Sequence, residues 1–342
     1  MYKSVIKPIL FLFNPELVHD FMTSFGVILG KFSITRYITR LIYGYNGRDI
    51  SKVVDGIKYK TPFLLSAGFD YNGLLYNILP SISLGGEEIG SVTAKKCEGN
   101  PRPRLTRIPN SRGIIVNKGL RNDGVDMVIN RLKNAQVSSF VKGISIAKTN
   151  DRYSATVEGA IEDYCYSFKR LNEEKIGDYY TLNISCPNAF GGETFTTPDL
   201  LERLLREIKK IPCDKPIYTK MPINIPWEQF DSLLKVIDTY GLNGVIIGNL
   251  NKDYSFIKPE ERPTNYCGGI SGFACKDLST QLIRKTRDKY GKRFTIFGVG
   301  GVMSPQDAKD KFDAGADLIM LITGLIYEGP SLIKRLCYSI QK

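Results

Sequence analysis

A thiol lies between two amides in Thr181-Leu182-Asn183-Ile184-Ser185-Cys186-Pro187-Asn188, and chemistry concentrates there. The run beginning at Tyr179 reads as a buried strand, and Pro187 has no N–H to give a sheet, so Cys186 falls where strand becomes loop. A thiolate there can serve as a base, and the flanking amides can read a flat ligand rich in C=O and N–H groups. Asn117 and Asn249 occupy comparable strand-end or loop positions. Four convergent amides suit ligand binding, although each alone is an ordinary turn residue. The single histidine, His19, lies far upstream. A histidine base is excluded for the main part of the chain unless the N-terminal segment folds back over it. Proton transfer otherwise falls to Cys, Lys, Tyr, Ser or a carboxylate.

Lys220 sits inside the apolar run Ile217-Tyr218-Thr219-Lys220-Met221-Pro222. An unpaired buried charge is costly, so this lysine either snorkels outward or meets a negatively polarised cofactor. Near the end, Phe297-Gly298-Val299-Gly300-Gly301-Val302 and Thr323-Gly324 place glycines after apolar runs. Such glycines either let backbone N–H groups approach a phosphate or make tight turns. They do not form the dinucleotide fingerprint, which needs GxGxxG inside a βαβ unit.

The elements that must hold these groups follow a regular rhythm. Short β-like runs span 62–70, 87–94, 141–149, 179–186, 216–222, 244–249, 294–302 and 318–324, with helical patterns in most of the gaps. Eight strands alternating with helices predict a (β/α)8 TIM barrel over 46–342, with a doubly wound sheet as the alternative. Two longer excursions, 95–124 and 250–277, follow strand C-termini and should lie over the mouth. Residues 1–45 differ in character. Asn14-Pro15 caps a helix carrying Leu17, Val18, Phe21, Met22, Phe25, Ile28 and Leu29 on one face, and a second helix is predicted over 33–43. This extension either packs on the barrel or lies on a membrane, and different faces can do both.

The 342 residues are 42% hydrophobic and 24% charged, an ordinary globular balance, with a formal charge of +12 that suits an anionic partner or a solvated basic surface. Seven cysteines without CxxC pairs, beside one histidine, argue against a metal site and for a reducing, cytoplasmic compartment, peripheral membrane contact included. No apolar run reaches the roughly 18 residues that span a bilayer.

Taken in order, Ser66-Ala67-Gly68-Phe69-Asp70, Gly99-Asn100-Pro101-Arg102-Pro103-Arg104-Leu105, Asn117 with Gly119, Asn183 to Asn188, Gly269-Ile270-Ser271-Gly272 and Gly298-Val299-Gly300-Gly301 resemble the dihydroorotate dehydrogenase family. Asn14-Pro15-Glu16-Leu17-Val18-His19 is similar to the start of its membrane-associated, quinone-reducing class. The resemblance implies an FMN barrel that oxidises dihydroorotate in pyrimidine biosynthesis, with Cys186 as base and Asn117, Asn183, Asn188 and Asn249 holding the pyrimidine. It implies Ala67, Gly68, Ser91, Ser145, Asn183, Lys220, Ser271, Gly272, Gly300, Gly301, Thr323 and Gly324 around FMN. It also implies a quinone tunnel through the N-terminal helices, with His19 and Arg107 beside it. The chain departs from the family pattern at several points. The quinone class has serine as base, and cysteine belongs to the soluble classes. Tyr71 replaces a lysine, for which Arg121 or Lys118 is a substitute; Ser145 replaces an asparagine, Gly248 a threonine, Leu250 a hydroxyl residue and Ile322 a tyrosine. Three other readings compete. One is a paralogue acting on another pyrimidine-like compound or using another acceptor. Another is a tRNA dihydrouridine synthase-like enzyme, disfavoured because the chain ends soon after its eighth strand. The last is a non-enzymatic phosphate-binding barrel. No nucleic-acid partner is expected.

Overall fold

The computed structural model describes residues 2–137, 140–186, 192, 194–264 and 268–341. The strands are β1 (Lys52–Val54), β2 (Ile57–Tyr59), β3 (Phe63–Leu65), β4 (Gly86–Val92), β5 (Leu105–Ile108), β6 (Gly113–Val116), β7 (Val141–Ile146), β8 (Tyr179–Asn183), β9 (Ile217–Met221), β10 (Gly244–Ile247), β11 (Gly269–Gly272), β12 (Thr295–Val299) and β13 (Leu318–Leu321). The helices are α1 (Lys7–Phe11), α2 (Pro15–Lys31), α3 (Ser33–Tyr43), α4 (Val125–Lys133), α5 (Val157–Glu173), α6 (Pro198–Ile208), α7 (Trp227–Thr239), α8 (Lys276–Tyr290), α9 (Pro305–Asp313), α10 (Thr323–Glu328) and α11 (Ser331–Ser339).

The eight expected runs are β3, β4, β7, β8, β9, β10, β12 and β13, and they close in that order into a parallel barrel. Each strand is shorter than its apolar run, because the last residues of each run leave the ladder to form the mouth. The outer helices bury one apolar stripe each; in α6 this is Leu201, Leu204, Leu205 and Ile208, a helical spacing of three and four.

Large side chains fill the lower barrel. Tyr179, Tyr218 and Phe297 meet with ring centroids 4.9–5.6 Å apart. Beneath them the β1–β2 hairpin contributes Tyr59, fully buried, and Asp55, whose carboxylate accepts the Tyr218 hydroxyl at 2.5 Å. The floor is thereby closed, and any ligand is confined to the opposite, C-terminal end.

The two excursions meet over that end. Antiparallel strands β5 and β6 come from the first and β11 from the second, forming one three-stranded sheet in the order β11-β6-β5. The N-terminal helices lie alongside. Asn14 caps α2 by accepting the Glu16 N–H at 2.9 Å, and the buried Glu16 carboxylate accepts the Arg104 N–H at 2.7 Å and lies 3.2 Å from the Arg102 guanidinium. Elsewhere α2 and α3 expose Leu17, Phe21, Phe25, Ile28, Ile38 and Leu41. The two helices bend by 112° at their junction, and no single helix among the described residues is long and apolar enough to cross a membrane.

Glu16→Ala strips a charged acceptor from two donors, which should weaken helix docking by about 1–3 kcal/mol. The expected readout is faster limited proteolysis within 44–51, the linker between α3 and β1. An unchanged cleavage rate would show that apolar packing alone holds the helices.

Candidate functional site

Cys186 lies three residues beyond the end of β8 and opens into a cleft at the barrel mouth. The residues before it are tied down by Ser185. Its hydroxyl donates to the Lys220 carbonyl of β9 at 3.0 Å, and the Asn249 amide donates to the Ser185 carbonyl and hydroxyl at 2.5 and 2.6 Å. The Asn183 amide donates to Ser91 Oγ at 2.8 Å, and the Asn183 carbonyl accepts the Tyr164 hydroxyl at 2.6 Å. Two of the four expected amides, Asn183 and Asn249, therefore flank the thiol on rigid strand ends. Asn188 lies outside the described residues.

Two expected residues stand back from the wall. The Asn117 carbonyl oxygen accepts from the Asn100 amide at 2.7 Å, and Asn117 is not among the residues lining the cleft. Ser145 is fully buried behind Ser91, with the two hydroxyl oxygens 2.7 Å apart. Ala67, Gly68, Ser91, Lys220, Ser271, Gly272, Gly300, Gly301, Thr323 and Gly324 all line the cleft.

The N-terminal segment does fold back. His19 of α2 lines the cleft, stacks on Tyr71 at 5.7 Å and meets Phe69 edge-on at 5.2 Å. Burial, with the Lys118 and Arg121 charges adding to it, pushes its imidazole down to about 3, so it is neutral across the physiological range. Arg107 does not line the cleft. It donates to the Phe13 carbonyl at 2.7 Å and covers the Phe11 ring, bracing the turn that leads into α2.

Lys148 was not marked in the sequence. It is buried just past β7, donates to Thr194 Oγ1 at 2.7 Å, and its ammonium and the Cys186 sulfur interact electrostatically. Burial lowers the lysine pKa while Cys186 opposes that shift, and by reciprocity the ammonium favours the thiolate. A lysine closing an apolar strand run was the available signal, the same one that marked Lys220. Glu88 was also missed. Buried within the barrel on β4, it accepts the Ala67 N–H at 3.4 Å; burial raises its pKa and the Lys220 charge opposes that rise.

The wall suits the FMN implied by the resemblance. Gly300 and Gly301 have φ of 104° and 73°, and a Cβ on either would come within 2.8 Å of Cys275 or Lys276 at the start of α8. Only glycines fit there, which leaves their backbone exposed to the cleft for an anionic group. Among the described residues the Lys220 ammonium makes no hydrogen bond or ion pair, so it is available to an electron-rich ring edge. Ser271 and Thr323 join by their hydroxyls at 2.9 Å between these features. Gly248 also has a steric reason: a Cβ there would meet the Val299 carbonyl oxygen at 2.4 Å, which excludes threonine from this backbone. No cluster of metal-ligating side chains occurs among the described residues.

Because the chain has one histidine, its imidazole resonance is assigned without mutagenesis. It should stay flat from pH 8 to pH 5. The unfolded ring titrates near 6.5 and the folded one near 3, so the native state binds fewer protons between those values and loses stability as the pH falls through them. A midpoint near 6.5 in the folded protein would overturn this burial.

Comparison with known proteins agrees with the geometry. The family profile described as dihydroorotate dehydrogenase matches residues 50–342. A protein of Christiangramia forsetii named dihydroorotate dehydrogenase (quinone) is 37% identical over 345 residues, covering 98% of this chain and 97% of its own. One of the same name from Thermosynechococcus vestitus is 30% identical, covering 98% and 94%. The crystal structure of the Eimeria tenella dihydroorotate dehydrogenase in complex with ferulenol shares the fold, with a TM-score of 0.80 at 24% identity over 95% of this chain and 90% of that one. With the profile spanning the whole barrel and such relatives matching from end to end, the chain belongs to the dihydroorotate dehydrogenase family.

Proposed function

We propose that this protein oxidises dihydroorotate to orotate, with Cys186 as the base, FMN as the cofactor and a quinone as the final acceptor. The observation that carries the reading is the cleft itself. Cys186 opens between Asn183 and Asn249 into a wall that includes Lys118, Arg121 and Lys220, and no described lining residue is a carboxylate. Such a site favours a flat, amide-rich anion.

FMN, when bound, supplies a two-electron acceptor that takes a hydride from the substrate. Everything else falls to the chain. Cys186 takes the proton from the carbon next to the one that loses the hydride, and Lys148 holds the thiolate ready for it. Asn183 and Asn249 orient the pyrimidine ring from strand ends that Ser185 keeps in register. Ala67, Gly68, Ser91, Lys220, Ser271, Gly272, Gly300, Gly301, Thr323 and Gly324 would hold the cofactor, and Asn188 would add to the substrate contacts. Residues 1–45 would form the quinone entrance, with His19 on its inner wall, Arg107 bracing it and the apolar outer face of α2 and α3 resting on a membrane surface.

Tyr71, Gly248 and Leu250 motivate a second reading, a family member acting on another pyrimidine-like compound. An anaerobic flavin spectrum before and after dihydroorotate separates the two, since bleaching requires the first and its absence favours the second. Cys186→Ala should retain flavin and slow bleaching by roughly 10²- to 10⁴-fold. Lys148→Met should keep the activity but raise the pH of half-maximal bleaching by about one unit. Fast bleaching in Cys186→Ala would remove the thiol from the mechanism.

A further inference from the structure

Lys311 of α9 is fully buried, and its ammonium donates only to hydroxyl and carbonyl oxygens. Ser279 Oγ accepts at 2.6 Å and Thr280 Oγ1 at 3.1 Å, and the Lys276 carbonyl lies 3.5 Å away. Both hydroxyls send their own protons to that carbonyl, which leaves their lone pairs for the lysine. Among the described residues Lys311 makes no ion pair.

The carboxylates in reach are committed elsewhere. Asp307 takes the Lys276 ammonium at 2.7 Å, the Met303 N–H at 3.0 Å and the Ser304 hydroxyl at 2.8 Å. Asp310 takes Lys276 at 3.3 Å and the Gln306 amide at 2.7 Å. Asp277 is exposed, and the Cys275 thiol, pushed up to about 12 by burial, is neutral. On the barrel side the lysine stem passes Gly298 of β12, where a Cβ would come 3.3 Å from its Cδ. An ammonium kept from water without a carboxylate is costly, and a methionine of the same length would join α8 to α9 without that cost.

The other face of this cluster carries the glycine turn. A Cβ on Gly300 would stand 3.2 Å from Ser279 Oγ, and one on Gly301 would stand 2.5 Å from Lys276 Cβ. Gly300 and Gly301 line the cleft. One hydroxyl and one layer of backbone therefore separate the Lys311 ammonium from the surface that an anion meets.

We propose that Lys311 is the buried countercharge for the FMN phosphate, acting across Ser279 and the Gly300–Gly301 turn rather than by contact. This rests on FMN lying against those glycines, as proposed above. The glycine backbone supplies the hydrogen bonds, and the lysine supplies a full charge through a wall that screens it little. The arrangement also sets a pH limit. Burial holds the lysine down to about 8 before the phosphate arrives, and a bound phosphate favours the ammonium. Binding therefore takes up a proton above that pH, so FMN affinity should fall there by up to about tenfold per pH unit, while riboflavin, which lacks the phosphate, shows no such fall.

The test uses the full chain dialysed free of flavin and titrated with FMN and with riboflavin, followed by quenching of flavin fluorescence. Lys311→Met should weaken FMN binding by roughly 10- to 100-fold, change riboflavin binding by less than about twofold and abolish the alkaline decline. The wild-type pH profiles probe the same charge without a variant, so they decide the matter even where Lys311→Met does not fold. An equal loss of FMN and riboflavin makes the lysine a pin between two helices and overturns the proposal, as do parallel pH profiles for the two flavins. Wild-type and Lys311→Met proteins that favour FMN over riboflavin to the same extent overturn the countercharge and keep the phosphate at the glycine turn. A wild-type protein that binds riboflavin as tightly as FMN overturns both.

Discussion

Positive charge that faces a cleft without a described carboxylate is the constraint on which the rest of this structure depends. Lys118 and Lys220 make no ion pair among the described residues, yet both line the same cleft. An unpaired ammonium taken out of water is costly, and a fold keeps one only where packing leaves it no exit. Here the exits are closed by different means. Lys220 rises from a barrel strand above a floor filled by Tyr179, Tyr218 and Phe297, and it cannot snorkel downward. Lys118 is held at the mouth by an aromatic ring that attracts its charge without using its donors. The cost of both charges is offset by an anion bound between them.

The same economy explains why the thiol sits where it does. Cys186 follows Ser185, and Ser185 is bonded to the Lys220 backbone on one side and the Asn249 amide on the other. Three barrel strands thereby fix the segment that carries the thiol. Lys148, just past the end of a fourth, brings a buried positive charge toward the sulfur. Thiol, amides and cations come from separate elements whose spacing is set by the barrel, so small errors in one loop do not propagate to the others.

The barrel was legible because its information is local. Each apolar run stands between glycines, prolines or helical patterns, and eight such runs leave one closed arrangement. The β1–β2 hairpin was not legible, since its strands have three residues each and only Tyr59 is fully buried. Nor was the sheet of β5, β6 and β11, whose partners lie about 150 residues apart. Residue type located Cys186, Lys220 and the glycine loops, but it could not say which amide faces the cleft. Asn117 looks like Asn183 in sequence, and its commitment to Asn100 is visible only in three dimensions. Lys148, like Lys220, is a lysine in an apolar run, but its closeness to the thiol is visible only in three dimensions, because Cys186 follows a different strand.

The cysteine and the N-terminal helices point by resemblance to different classes of the family, and the structure holds the two features by separate contacts. The thiol is placed by β8, β9 and β10 through Ser185 and Asn249. The helices are placed by Glu16 on the β5 approach and by His19 on Tyr71, contacts that involve neither Cys186 nor its supports. The thiol stands at one wall of the cleft and the N-terminal helices cover another. Tyr71 joins the two walls, stacking on the helix from one side and carrying Lys118 on its ring. Tyr71 thereby ties the helical cover to the cation of the mouth, and one aromatic ring couples the two halves of the site.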